Sequence, residues 1–263
     1  MGQYSKIDSG FLPSNQNYID VVMVADPKGQ ISLDTWNKWG YNPQVNTVAS
    51  EWVWSPGGNL VQMSTANTLD VYSSNTQDVS SNTGAFEVTI TGVGENWEYQ
   101  QEVITLNGTT HVPTSNLWLG VNRAAVTLAG SSRANLGNIS LEATTGGSLQ
   151  AQIPLDEGST QQAIFFVPAG REAHVNWLHV NVNRISVGNE PIVTIKGWSI
   201  SSNTNVKTQF IRFIVDSFVE NNVTLNLDQP IIIPEKTMIY FNAATTLNNT
   251  IVNMRFSLAE YTI

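Results

Sequence analysis

Residues Ser73 to Asn138 read SSNTQDVSSNTGAFEVTITGVGENWEYQQEVITLNGTTHVPTSNLWLGVNRAAVTLAGSSRANLGN, and this stretch decides the fold class. Phe86-Glu87-Val88-Thr89-Ile90-Thr91 alternates apolar and polar side chains, the period of a half-buried strand. Thr91 to Asn96 follows as a Gly- and Asn-rich connection, and Tyr99 to Leu106 resumes as a second strand. Asn107-Gly108 offers two residues that tolerate positive φ, as a two-residue hairpin turn requires. Almost no reactive side chain stands between the strands. The segment is architectural.

The same reading extends both ways. Strand-like runs recur at Val45–Ser55, Asn59–Ser64, Leu69–Ser73, Ala85–Thr91 and Leu117–Leu128, then at Ile139–Ala143, Leu149–Ile153, Gln162–Val167 and Ala173–Val182. A last group comprises Pro191–Ser199, Thr208–Val219, Val223–Leu225, Met238–Ala243 and Val252–Tyr261. Thr208–Val219 fits a helical period as well as a strand period. Its β-branched and aromatic content, costly in χ1 freedom on a helix, makes it a strand. Many short strands without helix-length connections predict an all-β fold of the β-sandwich or jelly-roll type. It comprises either one large domain or two ordinary ones. Residues 1–34 lack regular patterning and read as an irregular N-terminal arm. The turn-rich Thr144-Thr145-Gly146-Gly147 or Asp156-Glu157-Gly158-Ser159 marks the boundary between the β halves, taken as a β-sandwich at 35–155 and a jelly-roll-like β domain at 156–263. Within the arm, Tyr18–Ala25 could form one strand.

Composition narrows the function. The 263 residues carry a net charge of -9, yet only 13% are charged and 41% hydrophobic. Typical soluble proteins have about 25% charged residues. Asn, Ser, Thr and Gln therefore make up the surface, and neutral amides are cheaper to desolvate than ions. That suits a subunit whose sides meet other subunits. The 12 basic residues are scattered singly, so no cluster exists to displace counterions from nucleic acid. Cysteine is absent, which excludes disulfides and thiol chemistry and favours folding in a reducing cytosol. The longest early apolar run, Val21–Ala25, is too short to cross a bilayer, and no signal-peptide core precedes it. No membrane partner is expected.

Candidate chemistry is sparse. His174 and His179 lie five residues apart on an expected strand and should point to opposite faces, so no metal site is expected. No nucleophile elbow, phosphate loop or calcium loop occurs; neither an enzyme nor a cofactor is expected. Trp36, Trp39, Trp52 and Trp54, four of the eight tryptophans, fall within nineteen residues. Trp52 and Trp54 share a strand face by spacing. Such indoles serve a core or subunit interface, or they form a platform for sugar rings.

Several quoted pieces, taken in order, carry a family resemblance. They are Asp78, Thr83-Gly84-Ala85, Phe86 to Gly92, Thr105 to Thr110 and Val121 to Ala124. Upstream stand Glu51-Trp52-Val53-Trp54 and Asp70 to Ser74; downstream stand Asn135 to Ile139, Phe166 to Gly170 and Pro230 to Lys236. Together, over residues 36 to 263, they resemble β-rich virion structural proteins of tailed bacteriophages, a capsid decoration or knob protein or a tail component. The resemblance brings no catalytic residues. It implies a non-enzymatic subunit of the virion, folded in the host cytoplasm and assembling on the capsid surface or tail. The implied partners are further copies of itself, as a homotrimer, and other virion proteins such as the major capsid or tail proteins. The alternative is a lectin-like receptor-binding module that contacts host surface polysaccharide.

Overall fold

A computed structural model describes residues 34–184 and 190–263. The arm expected at 1–34 lies outside the described residues, apart from Asp34, and so does its Tyr18–Ala25 strand. The chain is all-β: the described residues form sixteen strands and no helix. Every strand pairing is antiparallel.

Four sheets enclose two cores. The first sheet runs β1 (Asp34–Val45), β16 (Thr250–Thr262), β11 (Arg171–Arg184), β14 (Asn222–Ile233). The second runs β10 (Ile164–Val167), β15 (Thr237–Thr245), β12 (Ile192–Ser201), β13 (Lys207–Asp216), and the short β2 (Glu51–Trp52) also pairs with β15. Between them lies one core, to which Val175, Leu178, Met254 and Phe256 contribute from the first sheet and Phe165, Ile195, Val215 and Phe241 from the second. Alternation explains this packing on β11, β15 and β16, which turn apolar side chains inward at alternate positions, whereas β1 does not.

The third sheet runs β6 (Val112–Pro113), β3 (Leu69–Ser73), β8 (Ile139–Ala143), β9 (Leu149–Ile153). The fourth runs β5 (Tyr99–Thr105), β4 (Ala85–Val93), β7 (Gly120–Ala129). Leu69, Val71, Ile139 and Leu141 meet Val88, Ile90, Ile104 and Trp118 in a second core.

The unit spanning 69–153 is inserted into the other one. The chain leaves the first unit after Trp54 and re-enters it at Gln162, and these two residues bridge each other. Around that crossing the Ser55 amide donates to the Gln161 carbonyl at 3.0 Å, and the Ala163 amide donates to the Val53 carbonyl at 2.8 Å. The division at 35–155 and 156–263 is therefore corrected at its first boundary. β1 and β2 belong with the C-terminal strands, while the end of the inserted unit falls near the turn at Asp156. Gly146 and Gly147, with φ of 87° and 62°, turn the chain between β8 and β9 and mark no boundary.

Two further expectations change. Asn107-Gly108 is not a two-residue hairpin. Gly108 has φ 59°, but the strand beyond, β6, pairs with β3 rather than β5. The true hairpin joins β4 to β5, closed by the Trp97 amide donating to the Gly94 carbonyl at 3.0 Å. Val45–Ser55 and Asn59–Ser64 are mostly irregular. The Glu51 carboxylate organises the first of these, accepting from the amides of Asn46 and Gly58, each at 3.0 Å.

Candidate functional site

The four tryptophans singled out by sequence do not form one platform. On β1 the even positions face inward and the odd ones outward, which separates Trp36 from Trp39. Trp36 meets Phe165 edge to face at 5.4 Å, and its Nε1 donates to Glu260 Oε2 at 2.8 Å. Glu260 is fully buried beside Asp34 and Arg171. Burial raises its pKa, while the hydrogen bond from Trp36 and the charge of Arg171 oppose the rise.

Trp52 and Trp54 are both buried, in a third cluster that joins the two units. Trp52 stacks on Tyr240 at 4.0 Å with rings 14° apart. Trp54 Nε1 donates to the Gly57 carbonyl at 2.8 Å. Val93 and Trp97 of the inserted unit pack into the same cluster with Ile164, Phe166 and Met238. Val53, between the two indoles, points the other way into the first core. Both faces of this segment are buried because it runs between two cores.

Polar contacts reinforce the joint. Asn122 on β7 bonds the Phe166 backbone twice: its Nδ2 donates to the carbonyl at 2.9 Å, and its Oδ1 accepts from the amide at 2.7 Å. Gln162 Nε2 donates to the Val121 carbonyl at 2.7 Å. Lys38 of β1 projects inward and its ammonium donates to the Asn122 carbonyl. Burial, with a smaller contribution from Arg123, lowers the Lys38 pKa from 10.5 to about 7. Sequence gave no warning of this residue. A cleft of about 560 Å³ opens beside the joint, lined in part by Gln62, Glu95, Trp97, Ser202 and Asn205.

Trp39 alone of the four faces outward. The outer face of its sheet carries three aligned rows across β1, β16, β11 and β14. They read Asn37–Ser257–Trp177–Asn226, Trp39–Arg255–His179–Thr224 and Tyr41–Asn253–Asn181–Asn222. The Arg255 guanidinium lies over the Trp39 ring at 5.6 Å. Trp177 and His179 have nearly parallel rings with centroids 6.0 Å apart. Trp177 was not singled out from sequence, because its partner Trp39 stands 138 residues away and only strand pairing brings them together.

The histidines depart from the spacing argument. A bulge between Val175 and Trp177 shifts the alternation by one residue, so His174 and His179 both lie on the outer face. They still do not converge: His174 Nε2 bonds Glu172 at 2.8 Å and His179 Nδ1 bonds Thr224 at 2.8 Å. Among the described residues, no group of three or more His, Asp or Glu is placed to hold a metal ion.

No protein-family model and no curated protein matches the chain. Among solved structures, it is similar to the VP2 subviral particle of infectious bursal disease virus, at 12% identity and a TM-score of 0.20, over 89% of this chain and 76% of that one. A mutant VP2 of the same virus in T=1 particles is similar at 13% identity and a TM-score of 0.17, over 89% and 73%. Superpositions this loose carry no argument about fold or role.

Proposed function

We propose that the chain is a non-enzymatic structural subunit of a tailed-phage virion, assembling as a homotrimer on the capsid surface or tail. The observation that carries this is strand order. When β2 and β10 are taken as one strand interrupted by the insertion, the first unit has eight strands in chain order. Its sheets then read 1-8-3-6 and 2-7-4-5. That arrangement supports a jelly roll, an architecture common to viral capsid and lectin domains, with a second β-sandwich inserted into it.

Surface chemistry supports association rather than catalysis. β13 and β14 are the edge strands on one flank, and Phe210, Phe213, Leu225 and Leu227 on them are only partly buried against the core. The loop joining these strands exposes Phe218 to 70% and Val219 to 84%. Long edges and half-covered apolar side chains are liabilities in a monomer. Burying them between copies removes the liability, and symmetry multiplies modest contacts into a stable array. The trimer number rests on the family resemblance.

Light scattering on the purified protein tests the assembly, and antibody labelling of intact particles of the encoding phage tests the location. A trimer, with label over the shell or tail, is expected. A 28.8 kDa monomer at micromolar concentration, together with unlabelled particles, would overturn the reading.

A further inference from the structure

The outer face of the β1–β16–β11–β14 sheet has a composition unlike the rest of the chain. Its three rows hold Trp39, Trp177, Tyr41, His179, Arg255 and five asparagines, with no carboxylate. Yet Asp and Glu outnumber Lys and Arg by 21 to 12 over the whole sequence. Trp39, Trp177 and Arg255 line a shallow depression of about 330 Å³ together with Asn37. Arg255 is exposed, and its cation–π contact with Trp39 leaves its N–H donors without a hydrogen-bond acceptor among the described residues.

We infer that this depression binds an acidic polysaccharide, a carboxylate-bearing sugar chain laid across β1, β16 and β11. Pyranose faces pack on Trp39 and Trp177, a carboxylate of the sugar chain takes the guanidinium of Arg255, and asparagine amides meet the hydroxyls. The spacing suits such a chain. Adjacent strands lie about 4.8 Å apart and alternate residues about 6.8 Å apart along a strand, so the two tryptophan positions are separated by about 12 Å. That is about the length of a disaccharide.

The charge pattern selects an anion. Arg255 is the one guanidinium in the three rows, which hold no carboxylate, while Glu172, bonded to His174, and the exposed Asp228 stand beyond them on the same sheet. A guanidinium so placed attracts a carboxylate and fits it in a bidentate manner. The surroundings select a sugar over a protein surface. The hot spot of a protein interface sits in a desolvated apolar patch. Here the indoles are set among Asn, Ser and Thr, whose amides and hydroxyls match the donors and acceptors of a glycan. The inference does not depend on the virion reading, since an isolated subunit would bind equally.

The test is titration of the full chain with hexagalacturonate, and with maltohexaose as an uncharged chain of equal length, followed by calorimetry at low salt. Hexagalacturonate is expected to bind at least roughly tenfold more tightly than maltohexaose. Trp39→Ala and Trp177→Ala should each weaken it by roughly tenfold or more. Because both side chains face outward, the melting temperature should stay within a few degrees. Arg255→Gln should abolish the preference for the acidic chain. The inference fails if hexagalacturonate does not bind at millimolar concentration, or if Arg255→Gln binds it as the parent does. It also fails if Trp39→Ala or Trp177→Ala dissolves a self-association seen by light scattering, which would assign the face to a contact between copies.

Discussion

Replacing Asp78 with alanine should unfold the inserted unit at markedly lower denaturant. Asp78 is fully buried, and its carboxylate accepts four hydrogen bonds. Oδ1 takes the Ala85 amide at 2.8 Å and the Leu136 amide at 2.9 Å; Oδ2 takes the Gly137 amide at 2.9 Å and the Ser73 hydroxyl at 2.5 Å. One side chain thus ties the end of β3, the start of β4 and the turn before β8. The packing is close enough that a Cβ on Gly84 would stand 2.1 Å from Oδ1. Hydrogen bonds to a charged acceptor contribute about 1.5–3 kcal/mol each, and an orphaned buried donor costs about 1–3 kcal/mol. Alanine orphans three amides and a hydroxyl. Water entering the vacated space and relief of the carboxylate's desolvation offset part of that loss. A net loss of about 4 kcal/mol remains, within the range for breaking a buried charged contact. Asp78→Asn keeps the shape but turns an NH2 group towards at least one backbone N–H, so it should lose about 2 kcal/mol or more. Urea unfolding gives the total, and native-state hydrogen exchange at Val88 and Ile90 places it in the inserted unit. A loss below about 1 kcal/mol for Asp78→Ala would refute the reasoning.

Two further outcomes bear on the joint between the units. Trp52→Ala and Trp54→Ala should each cost about 3–5 kcal/mol, the range for a buried large aromatic; unchanged melting and assembly in both variants would show that neither indole is structural. For Lys38, the folded pKa of about 7 lies below the unfolded value of 10.5, so between these pH values the unfolded chain holds the extra proton and stability rises with pH. Relative to Lys38→Met, the parent should therefore gain on the order of 1 kcal/mol per unit from pH 7 towards pH 10, and parallel stability–pH curves for the two proteins would contradict a buried ammonium.

Strands whose inner faces are mainly apolar were legible. Leu69–Ser73, Ile139–Ala143 and Leu149–Ile153 match β3, β8 and β9 residue for residue. β1 was not, and its inner positions explain why: Trp36, Lys38, Gly40 and Asn42 hold one apolar side chain among four. Each of the others answers to something distant. A Cβ on Gly40 would stand 2.5 Å from the Ala163 nitrogen and the Val53 oxygen, Asn42 Nδ2 donates to the Trp52 carbonyl at 2.9 Å, and Lys38 reaches Asn122. Alternation cannot reveal a strand whose neighbours dictate polar or absent side chains. The histidines show the same limit, since the bulge at Asn176 changes parity without any local signal such as glycine. The outward pair Trp39 and Trp177 depended on a pairing through β16, the last strand of the chain.

The burial of Trp52 and Trp54 follows from where the insertion begins, whereas Trp39 lies on the outer face of β1. A segment that passes between two cores must present apolar surface on both faces, and large aromatics cover such a gap with few residues. Trp36 accordingly covers the edge of the first core, Val53 fills it, and Trp52 and Trp54 fill the joint. The polar contacts then set the angle that apolar packing leaves loose. Dispersion and burial are non-directional, whereas the paired bonds of Asn122 to Phe166 and the bond of Gln162 to Val121 hold only in one relative placement. Lys38 belongs to this second class. Burying an ammonium is costly, and its lowered pKa expresses that cost. Its hydrogen bond to the Asn122 carbonyl ties β1 to the residue that also grips β10, so β1, β10 and the inserted unit share one anchor.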